Sequence, residues 1–220
     1  MMTKKLFVYG SLCNGMVHFP KIQQHVADIQ EASILGKAYM LKVGYPVVIA
    51  SQDQSCEVVP GQADRIPGQI LEIQGSELLM FILDEFLGCS MLQPEKGLYH
   101  RKQIQARRSP SQLDAHDLND KILDAIDCDV YSLNPAKLPK DAMYVQGGDW
   151  REYFSVDRAL PGQLSDRQKQ YVHKLGSSSG RDIVPIDLPL YRELMNLGLI
   201  VDKGRRLALS ALGKEVYRYL

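Results

Sequence analysis

The hydrophobic pattern predicts a strand-rich first part and a more helical last part. Leu6 to Tyr9 is a short apolar and aromatic run suited to a buried strand, and it stops at Gly10-Ser11, where the backbone can turn sharply. Asn14 to Phe19 is irregular, and Pro20, Ile22, His25, Val26 and Ile29 follow an approximately helical spacing. Strands are expected within Ala32 to Val43 and at Tyr45 to Ala50, with Pro46 at a strand start or bulge. Ser51 to Arg65 is polar and reads as an exposed loop. Gln69 to Ile73 alternates as a half-buried strand, and Ser76 caps a predicted helix from Glu77 to Phe86 that would bury Leu79, Ile82, Leu83 and Phe86. Gly88 ends that helix. Leu98 to Ala106 reads as a strand with Tyr99, Arg101 and Gln103 on one face. Arg107 to Asp127 is polar and acidic, with a helix expected in its second half, before strand character resumes over Cys128 to Leu133. Gly147-Gly148-Asp149-Trp150 supplies a turn, an indole anchor and a short helical segment through Tyr153.

Pro161-Gly162 is the best linker signal, which partitions the chain into residues 1–158 and 163–220. Beyond it, helices are expected from Leu164-Ser165 to Leu175 and from Leu188 to Leu197, separated by the Ser-rich turn Gly176 to Gly180. Two short strands, Leu199 to Asp202 and Leu207 to Leu209, flank the turn Lys203-Gly204-Arg205-Arg206, and Ser210 caps a final helix.

Composition narrows the class. A chain of 220 residues with 45% hydrophobic positions has material for one core domain and a smaller appendage. Its 26 Lys and Arg balance 26 Asp and Glu, so the whole chain carries no electrostatic bias toward nucleic acid or an anionic membrane. The halves differ: from Pro161 onward ten basic side chains face six acidic ones. Cys13, Cys56, Cys89 and Cys128 form no Cys-x-x-Cys pair, so neither a zinc site nor a disulfide framework is indicated, and no metal is expected. His18 and His25 are lone histidines without a second ligand at a metal spacing. No apolar run approaches about 18 residues and no cleavage-site pattern follows Met1, so the chain reads as cytoplasmic, with no membrane partner.

The candidate chemistry begins at Tyr9-Gly10-Ser11-Leu12, where amides released at a strand end can converge on a carboxylate or an oxyanion. Tyr45-Pro46, Gly68-Gln69-Ile70-Leu71-Glu72-Ile73, Leu83-Asp84-Glu85-Phe86-Leu87-Gly88 and Tyr99-His100-Arg101 follow in order. This ordered set, over roughly the first 155 residues, resembles the gamma-glutamyl cyclotransferase-like family. The resemblance implies an α+β fold: a small, strongly bent mixed β-barrel with one or two packed helices. It also implies a reaction in which a gamma-glutamyl amine or peptide is cleaved by its own α-amine, giving 5-oxoproline without metal, nucleotide or other cofactor. The residues from Leu197 to Gly213 resemble the wing region of winged helix-turn-helix modules, which implies a small winged-helix-like domain after the barrel.

By the same resemblance, Tyr9, Gly10, Ser11, Leu12, Leu87 and Tyr99 line the substrate site, and Tyr99 and Arg101 match the family's Tyr-x-Arg. The family's catalytic Glu falls on Leu87, and a leucine cannot carry a proton. Asp84, one helical turn earlier, and Glu95, in the next loop, are the candidate replacement bases. Cys13 is a thiol beside the loop with no evident basic neighbour, and reads as packed. Two readings stand: a cyclotransferase with a displaced base, or a gamma-glutamyl-binding protein without turnover whose Lys203, Arg205 and Arg206 contact nucleic acid or a protein partner. A third leaves the last 60 or so residues to pack on the first domain or to form a dimer.

Overall fold

Five strands close into a ring in the first part of the computed structural model, which describes residues 3–51, 63–109, 125–178 and 183–220. The strands are β1 (Lys4–Val8), β2 (Val26–Met40), β4 (Asp64–Ile73), β5 (Tyr99–Arg108) and β6 (Ala125–Leu133), joined by β3 (Pro46–Ala50) and β7 (Met143–Tyr144) on the far half of β2. The ring runs β2-β4-β1-β6-β5 and closes where Ala32 and Ser33 of β2 meet Arg108 and Arg107 of β5. Among the described strands, β1 and β6 pair in parallel and the other strand pairings are antiparallel. This is the bent mixed barrel expected from the motifs.

Closure explains why β1 is apolar throughout its second half. Leu6, Phe7 and Val8 are all buried, hydrogen-bonded on one side to β4 and on the other to β6. Such a strand reads as a continuous apolar run, not as an alternation. Ile34, Leu35, Ile66, Leu71, Ile73, Val130 and Leu133 complete the centre of the core, each at most 2% exposed. Gly68 lets β4 pass close to the end of β1, because a Cβ there would run into the Val8 carbonyl and the Phe7 ring. Pro67 is tolerated beside it because the β1 register ends at Val8 opposite Gln69, and its carbonyl accepts the Trp150 indole N–H at 2.9 Å.

Two local expectations change in the folded chain, and a third falls mostly outside the described residues. The helical spacing from Pro20 to Ile29 gives two single 3-10 turns, Phe19–Lys21 and Gln23–His25, and then β2, because Val26 onward finds a partner in β4. Tertiary pairing overrides a weak local period. The helix α1 (Ser76–Leu87) starts one residue early, with Gly75 in the left-handed region ahead of it and Gly88 in the same region after it. Its buried stripe is Leu79, Met80, Leu83 and Asp84, whereas Ile82 is 52% exposed and Phe86 half-buried. The stripe is rotated because Asp84 turns inward to partners on β5 and β6. The helix expected before Asp127 falls mostly at residues 110–124, outside the described residues.

A second compact unit comprises Lys42–Gly44 with Phe154–Leu220; the first comprises Met1–Leu41 with Tyr45–Tyr153. The predicted linker Pro161-Gly162 lies in a one-turn helix, α2 (Leu160–Gln163), whose Leu160 N–H donates to the Val43 carbonyl at 3.0 Å. The helices α3 (Asp166–Ser177) and α4 (Leu188–Asn196), the hairpin β8 (Ile200–Asp202) and β9 (Leu207–Leu209), and α5 (Ala211–Arg218) follow. Ser165 and Gln168 form a capping box, and Asp187 and Ser210 cap the next two helices. Val172, Leu194, Leu199, Ile200 and Val216 give this unit its own core. Among the described residues no helix is long and apolar enough to cross a membrane.

Candidate functional site

The loop after β1 is set by Gly10. Tyr9 is still extended, Gly10 enters the left-handed region at φ 57°, and Gly10–Leu12 forms one 3-10 turn closed by the Cys13 N–H on the Gly10 carbonyl. A Cβ on Gly10 would lie 2.9 Å from Pro46 Cγ, which relates the Tyr45-Pro46 motif to the loop as a packing surface. Further along, the Asn14 N–H donates to Gln69 Oε1 at 2.8 Å, and the Gln69 side-chain amide donates to Glu31 at 2.7 Å. Gln69 of the Gly68-Gln69 motif thus moors the loop to the barrel wall. Among the described residues, the amides of Gly10 and Ser11 donate to no protein acceptor. Successive unpaired amides in a left-handed turn suit a carboxylate or oxyanion.

From this turn a chain of contacts leads to the end of α1. Ser11 Oγ is 3.0 Å from Nδ1 of His18, and His18 is 4% exposed. The His18 ring meets the Phe86 ring edge-on, with centroids 4.8 Å apart, and the Lys21 ammonium sits 4.4 Å from the Phe86 centroid. These contacts fasten the last turn of α1 to the loop. Leu87, the next residue, is half-buried.

Asp84 lies deeper. Its Oδ1 accepts the Tyr131 O–H at 2.7 Å and its Oδ2 faces Arg101 Nη2 at 3.3 Å. Arg101 and Tyr131 are direct cross-strand partners on β5 and β6, so one carboxylate bridges two neighbouring positions. The Tyr9 O–H donates to the Tyr131 carbonyl at 2.8 Å, tying the end of β1 to the same point. Burial first, and then the hydrogen bond to Asp84, pushes the Tyr131 phenol well above its usual range, so it stays a donor.

The remaining sequence-predicted residues are dispersed. Glu95 is exposed in the 3-10 turn Pro94–Lys96, where its carbonyl accepts the Asn134 amide at 3.2 Å. Tyr99 is half-buried at the start of β5, bridged to Cys89. Lys203, Arg205 and Arg206 are exposed in the β8–β9 turn of the second unit, whose backbone is held by Asp202 accepting the Gly204 N–H. Sequence reasoning missed Tyr131, whose role depends on strand register, and the pairing of His18 with Ser11, which no periodicity announces.

Cys13 is a buried thiol that donates to the Val8 carbonyl, and burial, with Glu31 adding to it, pushes its pKa up to about 12. Iodoacetamide at about pH 8.5 is therefore expected to leave Cys13 unmodified in the folded chain and to label it after unfolding, as read by peptide mass spectrometry. Rapid labelling of the native protein would contradict this.

A family model described as gamma-glutamyl cyclotransferase, AIG2-like, matches residues 6–152. No curated protein matches the chain. Similar solved structures include an AIG2-like protein from Mus musculus, 19% identical with a TM-score of 0.43, over 64% of this chain and 82% of that one. YkqA from Bacillus subtilis is 18% identical with a TM-score of 0.43, over 69% of this chain, which spans only 40% of YkqA. A protein from Arabidopsis thaliana is 18% identical with a TM-score of 0.41, over 64% of this chain and 74% of its own.

Proposed function

The chain belongs to the gamma-glutamyl cyclotransferase, AIG2-like family through residues 6–152, and from that membership we propose that its first unit seats the gamma-glutamyl group of a small amine or peptide at the loop after β1 and cyclises it to 5-oxoproline. The observation that carries the reading is the pair of successive amides, Gly10 and Ser11, with no protein acceptor among the described residues. Cyclisation places negative charge on the former γ-carbonyl oxygen, and preorganised N–H donors stabilise that charge without reorganising when it forms. Tyr99, half-buried on β5, is the phenol we assign to the ligand's polar edge.

The base is the weak point of a simple transfer of family roles. Leu87 stands where the family resemblance places a Glu. Asp84 has both oxygens engaged, by Tyr131 and Arg101, so its part is to position the walls of the site. Glu95 is exposed and supplies its carbonyl, not its carboxylate, to a neighbour. Neither carboxylate is poised to take a proton from a ligand at Gly10-Ser11-Leu12.

The test is direct. Purified full-length protein is incubated with a panel of gamma-glutamyl dipeptides and amides, and 5-oxoproline is followed by mass spectrometry. Product from at least one member of the panel is expected; absence of product together with absence of binding by calorimetry would remove the reading.

A further inference from the structure

We propose that Ser11 and His18 form a proton-transfer pair that replaces the carboxylate missing at position 87. The inference rests on the reading of the loop as a gamma-glutamyl seat and assigns the proton chemistry of that seat to residues outside the family motif's Glu position. Three observations converge on the pair. Ser11 lies in the turn where, among the described residues, the Gly10 and Ser11 amides have no protein acceptor, so its hydroxyl is carried by the same loop that the reading makes the ligand seat. His18 Nδ1 lies 3.0 Å from Ser11 Oγ, within the range for direct transfer. The imidazole is 4% exposed and braced edge-on by Phe86, the residue before Leu87, which holds the ring against the last turn of α1.

Burying an imidazole costs the hydration of its ring nitrogens unless partners replace it. One such partner is the Ser11 hydroxyl, carried by the amide turn, and a hydroxyl–imidazole contact is the arrangement that activates a serine hydroxyl for proton transfer. In the tautomer with its proton on Nε2, Nδ1 accepts the Ser11 O–H.

The proton balance closes. One proton of the substrate's α-ammonium passes to Ser11 Oγ as the serine's own proton passes to His18 Nδ1. The free amine attacks the γ-carbonyl carbon, the new N–C bond forms, and the oxyanion is held by the amides of the turn. A second proton moves from the ring nitrogen through the Ser11 hydroxyl to the leaving nitrogen, and the original C–N bond breaks. The imidazolium then returns its proton through Ser11 to the departing amine, which leaves as an ammonium. Of the three ammonium protons, one stays on the lactam nitrogen and two depart with the amine, so the pair ends as it began. Ser11 is the catalytic residue that meets the substrate; His18 acts through it.

The test uses the full chain and a gamma-glutamyl dipeptide taken from the panel above. His18→Gln keeps a hydrogen-bonding group beside Ser11 and cannot accept a proton. It is expected to lower kcat for 5-oxoproline release about 10²- to 10³-fold while KM, and the dipeptide's Kd by calorimetry, change by less than about threefold. Ser11→Ala should lower kcat similarly, whereas Ser11→Thr, which keeps the hydroxyl, should retain most of it. Adding Leu87→Glu to His18→Gln should restore kcat at least about tenfold, because a carboxylate at the end of α1 bypasses the pair. A His18→Gln protein with unchanged kcat and normal binding overturns the proton pair and leaves the gamma-glutamyl reading standing. Binding without turnover in the wild type also overturns the pair. A wild type that neither binds nor turns over any member of the panel overturns both.

Discussion

Asp84→Ala is expected to lower the thermal midpoint of the first unit by roughly 6–12 °C, from a loss of about 3 kcal/mol at roughly 2–4 °C per kcal/mol for a unit of this size. The alanine removes a single carboxylate that serves two strands, leaving the Arg101 guanidinium and the Tyr131 hydroxyl without it. Breaking a largely buried pair costs far more than the pair's net worth, because the surviving charge remains out of water. Asp84 and Arg101 side chains are 11% and 17% exposed, which places the effect at the lower end of the range for buried pairs. Trp150 is the chain's one tryptophan and lies in the first unit, so its fluorescence reports this transition separately from the second unit. Asp84→Asn keeps an acceptor for Tyr131 and loses only the charge, and should fall between alanine and wild type. A midpoint within about 2 °C of wild type for Asp84→Ala, with the fold intact, would show that the bridge is solvated in solution.

Leu87→Glu is expected to raise kcat for 5-oxoproline release on the order of 10²-fold with little change in KM. Residue 87 is the last of α1, where the unpaired carbonyls carry partial negative charge, and it is half-buried. Both effects disfavour the ionised carboxylate and move its pKa toward the working range of a general base. Half burial also makes the substitution tolerable, since the carboxylate need not be fully desolvated. The end of α1 is held to the amide-bearing loop by the His18–Phe86 and Lys21–Phe86 contacts, so the new group is delivered on a braced element. No gain in rate, with the dipeptide still bound, would mean that position 87 does not reach the bound α-amine.

The features that were legible before folding are those governed by a few consecutive residues. The apolar run Leu6 to Val8, the turn at Gly10, the helix ending at Gly88 and the caps at Ser165 and Ser210 each follow from local sterics, hydrogen bonding or hydrophobicity. The order of the motifs was legible too, and with it the bent barrel. The buried stripe of α1 was misjudged because helical period alone counts Ile82 as core, whereas Asp84 has polar partners that repay its burial and rotate the helix inward. The segment after Pro20 was misjudged because a 3.6-residue spacing of a few apolar positions is weaker than a full strand pairing with β4.

Which residues the family resemblance singles out was therefore written along the chain: the Gly10-Ser11-Leu12 loop after β1, and Leu87 at the end of α1. Which of them meet was set by closure of the ring, because register and through-space distance have no representation in local spacing. Arg101 faces Tyr131 only once β5 pairs with β6, and His18 reaches Ser11 through the fold of the loop itself, where the His18 N–H also donates to the Ser11 carbonyl, and is then covered by Phe86. Strand register turned an acid that looked available into a structural bridge, and the folding of the loop turned an isolated histidine into the partner of a serine.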